Sequence, residues 1–294
     1  MSTVTAEAPT RFAISTDGVR LAIYESGDRS RPTVVLVHGF PDNHTVWGRA
    51  AEILAKEFHV VSYDVRGTGA SGEPRNRAGY RNAQLRDDLD AVIALTSPGT
   101  PVHLMAHDWG SIQSWEAVTD NTFGDTLLSF TSISGPSLDM AGVWLRNGHR
   151  QPGNVARQLA DIWYVFTFQL PRLPECLVRR GVVDALVRRS ERIGVPTELH
   201  SRAARRPRRD AINGIELYRA NIHRMLAPRP ADAVCPVQIL APIDDAHVTV
   251  PLACEAPRPY VTDLQTHEIP GNHWVVEQDP ELIVTHFKQF ITTF

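Results

Sequence analysis

The stretch HLMAHDWGSI, residues 103–112, decides the fold. It opens inside an apolar run, Val102–Ala106, which ends at a small residue, and the letters HDWG follow before a segment with helical spacing. This order predicts a buried strand, a tight turn and a helix, with one side chain displayed at the turn. That side chain is usually a serine, whereas here it is the carboxylate of Asp108.

Length and composition restrict the class of protein. A chain of 294 residues with 43% hydrophobic content can bury a large core as one domain that carries an insert. The formal charge of −3 gives no reason to expect a nucleic-acid partner. No apolar run approaches the roughly 20 residues that cross a bilayer, and the first ten residues do not form a signal peptide.

The cysteine pattern indicates a reducing compartment. The three cysteines, Cys176, Cys235 and Cys254, are an odd number and lack metal-ligand spacing. We therefore expect a cytoplasmic protein, a monomer or a homodimer, with no metal and no cofactor.

Charge is unevenly distributed along the chain. Residues 136–229 hold 17 Arg against 8 Asp and Glu, and the rest of the chain is acidic. A basic insert could meet an anionic membrane or an acidic partner, but we favour a solvated, arginine-rich helical surface. Within it, the segment 202–210 (RAARRPRRD) is predicted to be an exposed loop.

Strand-like and helix-like segments alternate outside this insert. Two strands joined by a turn are predicted over 11–25, and helices over 45–57, 83–95 and 280–291. The apolar runs predict further strands at 33–39, 59–64, 101–106 and 127–134, and later strands are predicted at 235–242 and 264–270. This alternation predicts an α/β fold, a mostly parallel twisted sheet flanked by helices, with 136–229 inserted as a helical cap between 1–135 and 230–294.

Polar residues follow several of these strands, where open α/β sheets place their sites. His38 and Gly39 follow one strand and Asp108 follows another. Asp244, Asp245 and His273 come after later strands. The chain order nucleophile, acid, histidine is that of α/β-hydrolases.

The motifs HGFPD (38–42), YDVRGTGASGEP (63–74), AHDWGS (106–111) and GNHW (271–274) resemble those of epoxide hydrolases with the α/β-hydrolase fold. The resemblance covers nearly the whole chain after residue 11. It is closest to the hydrolase domain that some relatives carry fused to a short-chain dehydrogenase/reductase. We expect no such second domain here, because the sequence has no spare length, and Gly67, Gly69 and Gly72 are interpreted as turn glycines.

The resemblance implies a covalent mechanism. The Asp108 carboxylate attacks an epoxide carbon and forms an ester, and His273 then activates water against that ester. The backbone N–H groups of Phe40 and Trp109 are expected to stabilise the oxyanion. The product is a vicinal diol, and the partners are a small apolar epoxide and water.

Two acids are candidates for orienting His273. The family usually places this acid three residues after the small residue that ends the strand, and counting from Pro242 gives Asp245. Asp244 is the alternative, interpreted here as a turn residue that satisfies nearby backbone amides.

Epoxide hydrolases also use two cap tyrosines that protonate the epoxide oxygen, and the family contexts nominate Tyr164 and Tyr218. On a helical wheel, Tyr164 lies opposite the apolar stripe that contains Leu159 and Phe166. Tyr218 lies on an apolar stripe, so a core tyrosine remains an alternative there. The predicted pocket lining is aromatic and comprises Phe40, Trp109, Trp163, Phe166 and Phe168.

A haloalkane dehalogenase is the rival interpretation. That family shares the Asp nucleophile, the His base and a Trp at the position of Trp109, whose indole N–H can bind halide. It often has Asn at the position of Phe40, which offers no side-chain donor. Phe40 and the cap tyrosines therefore favour the epoxide.

Overall fold

A mixed sheet of eight strands forms the centre of the protein in a computed structural model that describes residues 8–194 and 206–293. The strand order is β1-β2-β4-β3-β5-β6-β7-β8. The strands are β1 (Arg11–Ile14), β2 (Arg20–Ser26), β3 (Thr33–Val37), β4 (His59–Tyr63), β5 (Val102–His107), β6 (Leu127–Ile133), β7 (Val237–Pro242) and β8 (Leu264–Ile269). Pairing is antiparallel from β1 to β4 and parallel from β4 to β8.

The central strands are apolar along their whole length because both faces of the sheet are covered. All five residues of β3, the sequence TVVLV, are buried. Val34 and Leu36 join one apolar core, whereas Val35 and Val37 join the other on the opposite face. Burying each such side chain contributes about 1.5–3 kcal/mol, so this strand alone fixes the middle of the sheet.

The described residues contain twelve α-helices. They are α1 (Gly48–Leu54), α2 (Asn82–Thr96), α3 (Trp109–Val118), α4 (Leu138–Arg146), α5 (Pro152–Asp161), α6 (Trp163–Phe168), α7 (Leu173–Arg179), α8 (Val182–Ser190), α9 (Arg208–Asn221), α10 (Val250–Glu255), α11 (Val275–Gln278) and α12 (Pro280–Ile291). Leu54 of α1 packs with Phe287 of α12 on one face, and Leu89 of α2 packs with Trp115 of α3 on the other. The α/β architecture predicted from the sequence is confirmed.

Between β6 and β7 the described residues form helices and no strand. Helices α4 to α9 interrupt the alternation there, within the predicted insert. The helical wheel assumes one helix over 155–168, which is wrong, because the helix is interrupted at Ile162 between α5 and α6.

The predicted exposed loop at 202–210 is also corrected. Residues 202–205 lie outside the described part of the chain, while Arg208–Asp210 begin α9. The side chain of Arg206 is only 6% exposed and Asp210 is 1% exposed. These charges are buried because each has partners in the body of the protein.

Across the two described ranges, no helix combines the length and the apolar character that crossing a bilayer requires.

Candidate active site

Asp108 occupies the turn between β5 and α3 in a backbone conformation that non-glycine residues rarely adopt, with φ 52° and ψ −126°. Small neighbours make this turn possible. A Cβ added to Gly39 would lie 2.3 Å from the Asp108 Oδ1 atom, and one added to Gly110 would lie 2.3 Å from the Val37 carbonyl oxygen. The glycines therefore allow the turn to press against β3 and point the carboxylate outward from the sheet.

One oxygen of the Asp108 carboxylate faces the backbone of the loop after β3. The N–H of Phe40 donates to Asp108 Oδ1 at 2.6 Å. Burial alone would raise the pKa of Asp108, but the hydrogen bond and charge of His273, with a smaller contribution from the Trp109 N–H, hold that pKa below its usual value. Asp108 is therefore an ionised carboxylate with the Phe40 N–H already directed at Oδ1.

The other oxygen faces His273, which follows β8. The Nε2 atom of His273 lies 3.3 Å from Asp108 Oδ2, and its Nδ1 atom lies 3.0 Å from Asp245 Oδ2. Burial would lower the pKa of His273, but the charge of Asp245 and the hydrogen bond to Asp108 raise it to about 10. The imidazole is thus held protonated between two carboxylates.

Of the two candidate acids, the structure brings Asp245 to His273. Its Oδ1 atom also accepts the backbone N–H groups of His247 at 2.8 Å and Val248 at 3.1 Å. Burial opposes ionisation, but the charge and hydrogen bond of His273 hold the pKa of Asp245 well below its usual range. Asp244 is exposed, and its backbone N–H donates to the Gly271 carbonyl at 3.1 Å.

Both predicted tyrosines lie over Asp108. Tyr164 of α6 and Tyr218 of α9 have ring centroids 6.1 Å apart, and each contacts Phe168 edge to face. Trp109 packs against Tyr218 with centroids 4.8 Å apart. Burial and the Asp108 charge contribute to a raised pKa at both hydroxyls, so both phenols remain protonated at neutral pH.

Comparison with known proteins identifies this architecture. The family described as alpha/beta hydrolase fold matches residues 32–162. A Bacillus megaterium epoxide hydrolase, crystallised with an inhibitor, superposes with a TM-score of 0.75 at 19% identity, covering 96% of this chain and 100% of that one. The chain has the α/β-hydrolase fold. At this identity the structural likeness concerns the fold alone.

Curated relatives of this α/β-hydrolase-fold chain include epoxide hydrolases. Epoxide hydrolase A of Mycobacterium tuberculosis is 30% identical over 226 residues, which are 76% of this chain and 61% of that protein. Mouse epoxide hydrolase 3 is 26% identical over 295 residues, covering 95% of this chain and 75% of that protein.

A third relative is longer. The protein named probable oxidoreductase EphD of Mycobacterium tuberculosis is 35% identical over 293 residues, 95% of this chain and 49% of EphD. The chain thus spans about half the length of this relative. The predicted resemblance to a hydrolase domain fused to a short-chain reductase stays a prediction.

Two cavities of the α/β-hydrolase fold meet at Asp108. The larger, about 310 Å³, extends between α6 and α8 and is lined by Asp108, His273, both tyrosines, Phe40 and mainly aliphatic side chains of α8. The smaller, about 70 Å³, lies on the other side of the tyrosines against Trp109, Ile112 and Leu138. The carboxylate is therefore accessible to an apolar molecule.

The predicted pocket residues are not equally placed. Phe40 and Phe168 are buried and line the larger cavity, and Trp163 lines it with 55% of its surface exposed. Trp109 lines the smaller cavity instead. Phe166 is 63% exposed and lines neither of the two cavities that meet at Asp108.

Sequence reasoning missed His247 as a site residue. Its ring contacts the His273 ring at 4.7 Å and the Tyr164 ring at 5.4 Å between centroids, and it lines both cavities. Burial and the nearby His273 charge lower its pKa to about 4, so the ring is neutral. Its position two residues after Asp245 was the available signal.

Proposed function

We propose that the protein is an epoxide hydrolase that opens an epoxide to a vicinal diol through an ester on Asp108. The observation that carries the proposal is the presence of two phenols, Tyr164 and Tyr218, in the wall of the cavity that exposes Asp108. Names of relatives such as epoxide hydrolase A agree with it. We further propose that residues 136–229 form a cap over the core segments 1–135 and 230–294.

In the first step, Asp108 Oδ2 attacks a carbon of the epoxide ring. The new carbon–oxygen bond forms as the ring carbon–oxygen bond breaks, and the ring oxygen takes a proton from Tyr164 or Tyr218. The raised pKa of each hydroxyl keeps the phenol protonated until the more basic alkoxide develops. The proton of His273 then restores the phenol.

Ester formation changes the charge next to His273. Once Asp108 is a neutral ester, its negative charge is gone. That charge belongs to one of the two groups that raise the pKa of His273 in the free protein. The pKa of the imidazole therefore falls, and the ring becomes a base that Asp245 still orients through Nδ1.

In the second step, His273 removes a proton from water as the oxygen attacks Cγ of Asp108. The oxyanion develops on Oδ1, where the Phe40 N–H already donates in the resting state. One such donor typically lowers the barrier by about 3–4 kcal/mol. Collapse breaks the acyl–oxygen bond, and His273 returns the proton to the departing diol, so Asp108 keeps an oxygen from water.

The substrate is proposed to be a small or elongated apolar epoxide. The larger cavity is lined by Leu177, Val182, Val183, Leu186 and Val187 between Asp108 and the surface. This lining offers apolar contact rather than directed hydrogen bonds. Specificity would therefore follow the shape of the substrate more than its polar substituents.

Haloalkane dehalogenation is retained as the second candidate because of one observation. The indole Nε1 of Trp109 is buried, and no described group completes a hydrogen bond of normal geometry with it. A halide could accept from this N–H. Position 40 is a phenylalanine, which offers its backbone N–H to Asp108 but has no side-chain donor for a halide, and this difference favours the epoxide.

A single turnover in ¹⁸O-labelled water tests the proposal, with the protein in excess over styrene oxide. The ester route predicts that the first diol carries an unlabelled oxygen from Asp108 and that ¹⁸O appears in the peptide containing Asp108. Label in the first diol and an unlabelled Asp108 would contradict the ester route. Bromide release from 1-bromobutane without diol formation would support the dehalogenase instead.

A further inference from the structure

A buried arginine joins separate segments of the chain beside the candidate site. The guanidinium of Arg206 donates through Nε to Asp42 and through Nη1 to Glu191. Asp42 lies in the loop after β3, Glu191 follows α8, and Arg206 precedes α9. We call Arg206, Asp42, Glu191 and Trp274 the Arg206 cluster. Burial of these ionised groups is tolerated because they pair with one another.

Asp42 connects this cluster to the two loops that carry the Phe40 N–H and the His273 imidazole. Its second oxygen, Oδ2, accepts the indole N–H of Trp274 at 3.1 Å. Trp274 follows His273 directly, and Asp42 comes two residues after Phe40. One carboxylate therefore ties the loop that carries the Phe40 N–H to the loop that carries the imidazole, and Arg206 holds that carboxylate from the other side.

Glu191 makes a second connection through its backbone. Its carbonyl oxygen accepts the side-chain amides of Asn272 and Gln278, each at 2.8 Å. Asn272 precedes His273, and its Oδ1 atom accepts the Trp274 N–H at 2.9 Å. The chain on both sides of His273 is therefore fastened to the residue that Arg206 binds.

We infer that Arg206 is a positioning residue that holds the Phe40 N–H and the His273 imidazole in fixed relation around Asp108. The inference rests on the proposed function for its kinetic consequence. A guanidinium suits this task because its planar fork binds two carboxylates in two directions, whereas a lysine ammonium is a point charge on a flexible stem. A misplacement of about 1 Å near a reaction can cost about 100-fold in rate.

The test compares Arg206→Lys with a matched control, Arg66→Lys. Arg66 is also buried and binds two carboxylates, Asp17 and Asp88, but its partners carry no site residue. Ester formation and ester hydrolysis with styrene oxide are followed by rapid quench and mass spectrometry. We expect Arg206→Lys to slow ester hydrolysis about tenfold or more with KM within about twofold, and Arg66→Lys to leave both steps within about twofold.

A second readout does not need a substrate. The imidazole NMR signals of His273 should shift in Arg206→Lys and stay in place in Arg66→Lys. The thermal stability of both variants is measured alongside, so that a general loss of stability is distinguished from a local effect on His273. Identical signals and rates in the two variants would overturn the inference. If wild-type protein forms no ester, the proposed function fails, and the NMR comparison alone decides the role of Arg206.

A milder variant covers the case in which Arg206→Lys does not fold. Glu191→Gln removes one charge that Arg206 binds and keeps the backbone carbonyl that accepts from Asn272 and Gln278. We expect a several-fold loss of ester hydrolysis and a smaller shift of the His273 signals. Unchanged signals in this folded variant would likewise overturn the inference.

Discussion

The candidate site has two sides that differ in how they are built. The floor comprises Phe40, Asp108, Asp245 and His273, which lie in loops at the carboxyl ends of parallel strands. The roof comprises Tyr164, Trp163, Phe168 and Tyr218 on α6 and α9. Floor residues are fixed by directed hydrogen bonds between 2.6 and 3.3 Å, whereas roof residues are held by edge-to-face ring contacts about 5–6 Å between centroids. In the proposed mechanism, the floor supplies the charged groups and the roof supplies the proton donors.

The largest effect is expected on the floor. Asp245→Asn keeps the shape of the side chain but removes the charge that orients and protonates His273, so turnover should fall about 10⁴-fold, as in hydrolytic triads that lose this acid. Asp244→Asn is the neighbouring control and should stay within about twofold, because Asp244 is exposed. Steady-state diol formation measures both, and equal losses would remove Asp245 from the proposed triad.

The next effect separates roof from floor. Tyr164→Phe combined with Tyr218→Phe removes the proposed proton donors and preserves the ring contacts, so ester formation should slow about 10²- to 10⁴-fold while folding is retained. The rate of ester hydrolysis should change little. Rapid-quench measurement of both steps checks this, and near-wild-type epoxide turnover would show that the phenols are not the acids.

The pH dependence of stability sharpens the account of the floor. The pKa of His273 is raised to about 10 from about 6.5 in the unfolded chain, so its contribution is complete below pH 6.5 and is lost as the pH rises to 10. The gap in unfolding free energy between wild type and His273→Gln should therefore shrink over this window. Denaturant titrations measure the gap, and one that is constant from pH 6.5 to 10 would argue against a protonated His273.

The smallest effect is expected at the edge of the roof. Trp163 lines the larger cavity but is 55% exposed, so Trp163→Ala should raise KM for styrene oxide by less than about threefold and leave kcat unchanged. Phe168→Ala, at a residue 5% exposed, should also lower thermal stability, because truncating a buried Phe costs about 3–5 kcal/mol. A large fall in kcat for Trp163→Ala would indicate that Trp163 affects the chemical step and does not only line the edge of the cavity.

The floor could be predicted from the sequence because its signals are local. Asp108, Phe40 and His273 each follow a strand, and parallel strands bring their ends to one edge of the sheet. The choice of Asp245 rested on a count of three residues from the end of β7, and this is the acid that contacts His273.

The roof was less predictable because its packing depends on distant segments. A helical wheel gives the relative faces of a helix but not which face is buried: Leu159 and Phe166 of the apolar stripe are 42% and 63% exposed, whereas Tyr164 lines both cavities at Asp108. Arg206 belonged to an arginine-rich segment that composition alone assigns to the surface. Only the tertiary contacts with Asp42 and Glu191 reveal that it is buried.

Trapping the ester on His273→Ala tests the central claim most directly. Without the base, Asp108 can still be alkylated, but the ester should not be hydrolysed. Intact mass spectrometry after separate incubation with styrene oxide and 1-bromobutane should give an adduct of one substrate mass from the epoxide alone, mapped by peptide analysis to Asp108. An adduct from the bromide alone would contradict the epoxide account and support dehalogenation, and an adduct on any other residue would contradict Asp108 as the nucleophile.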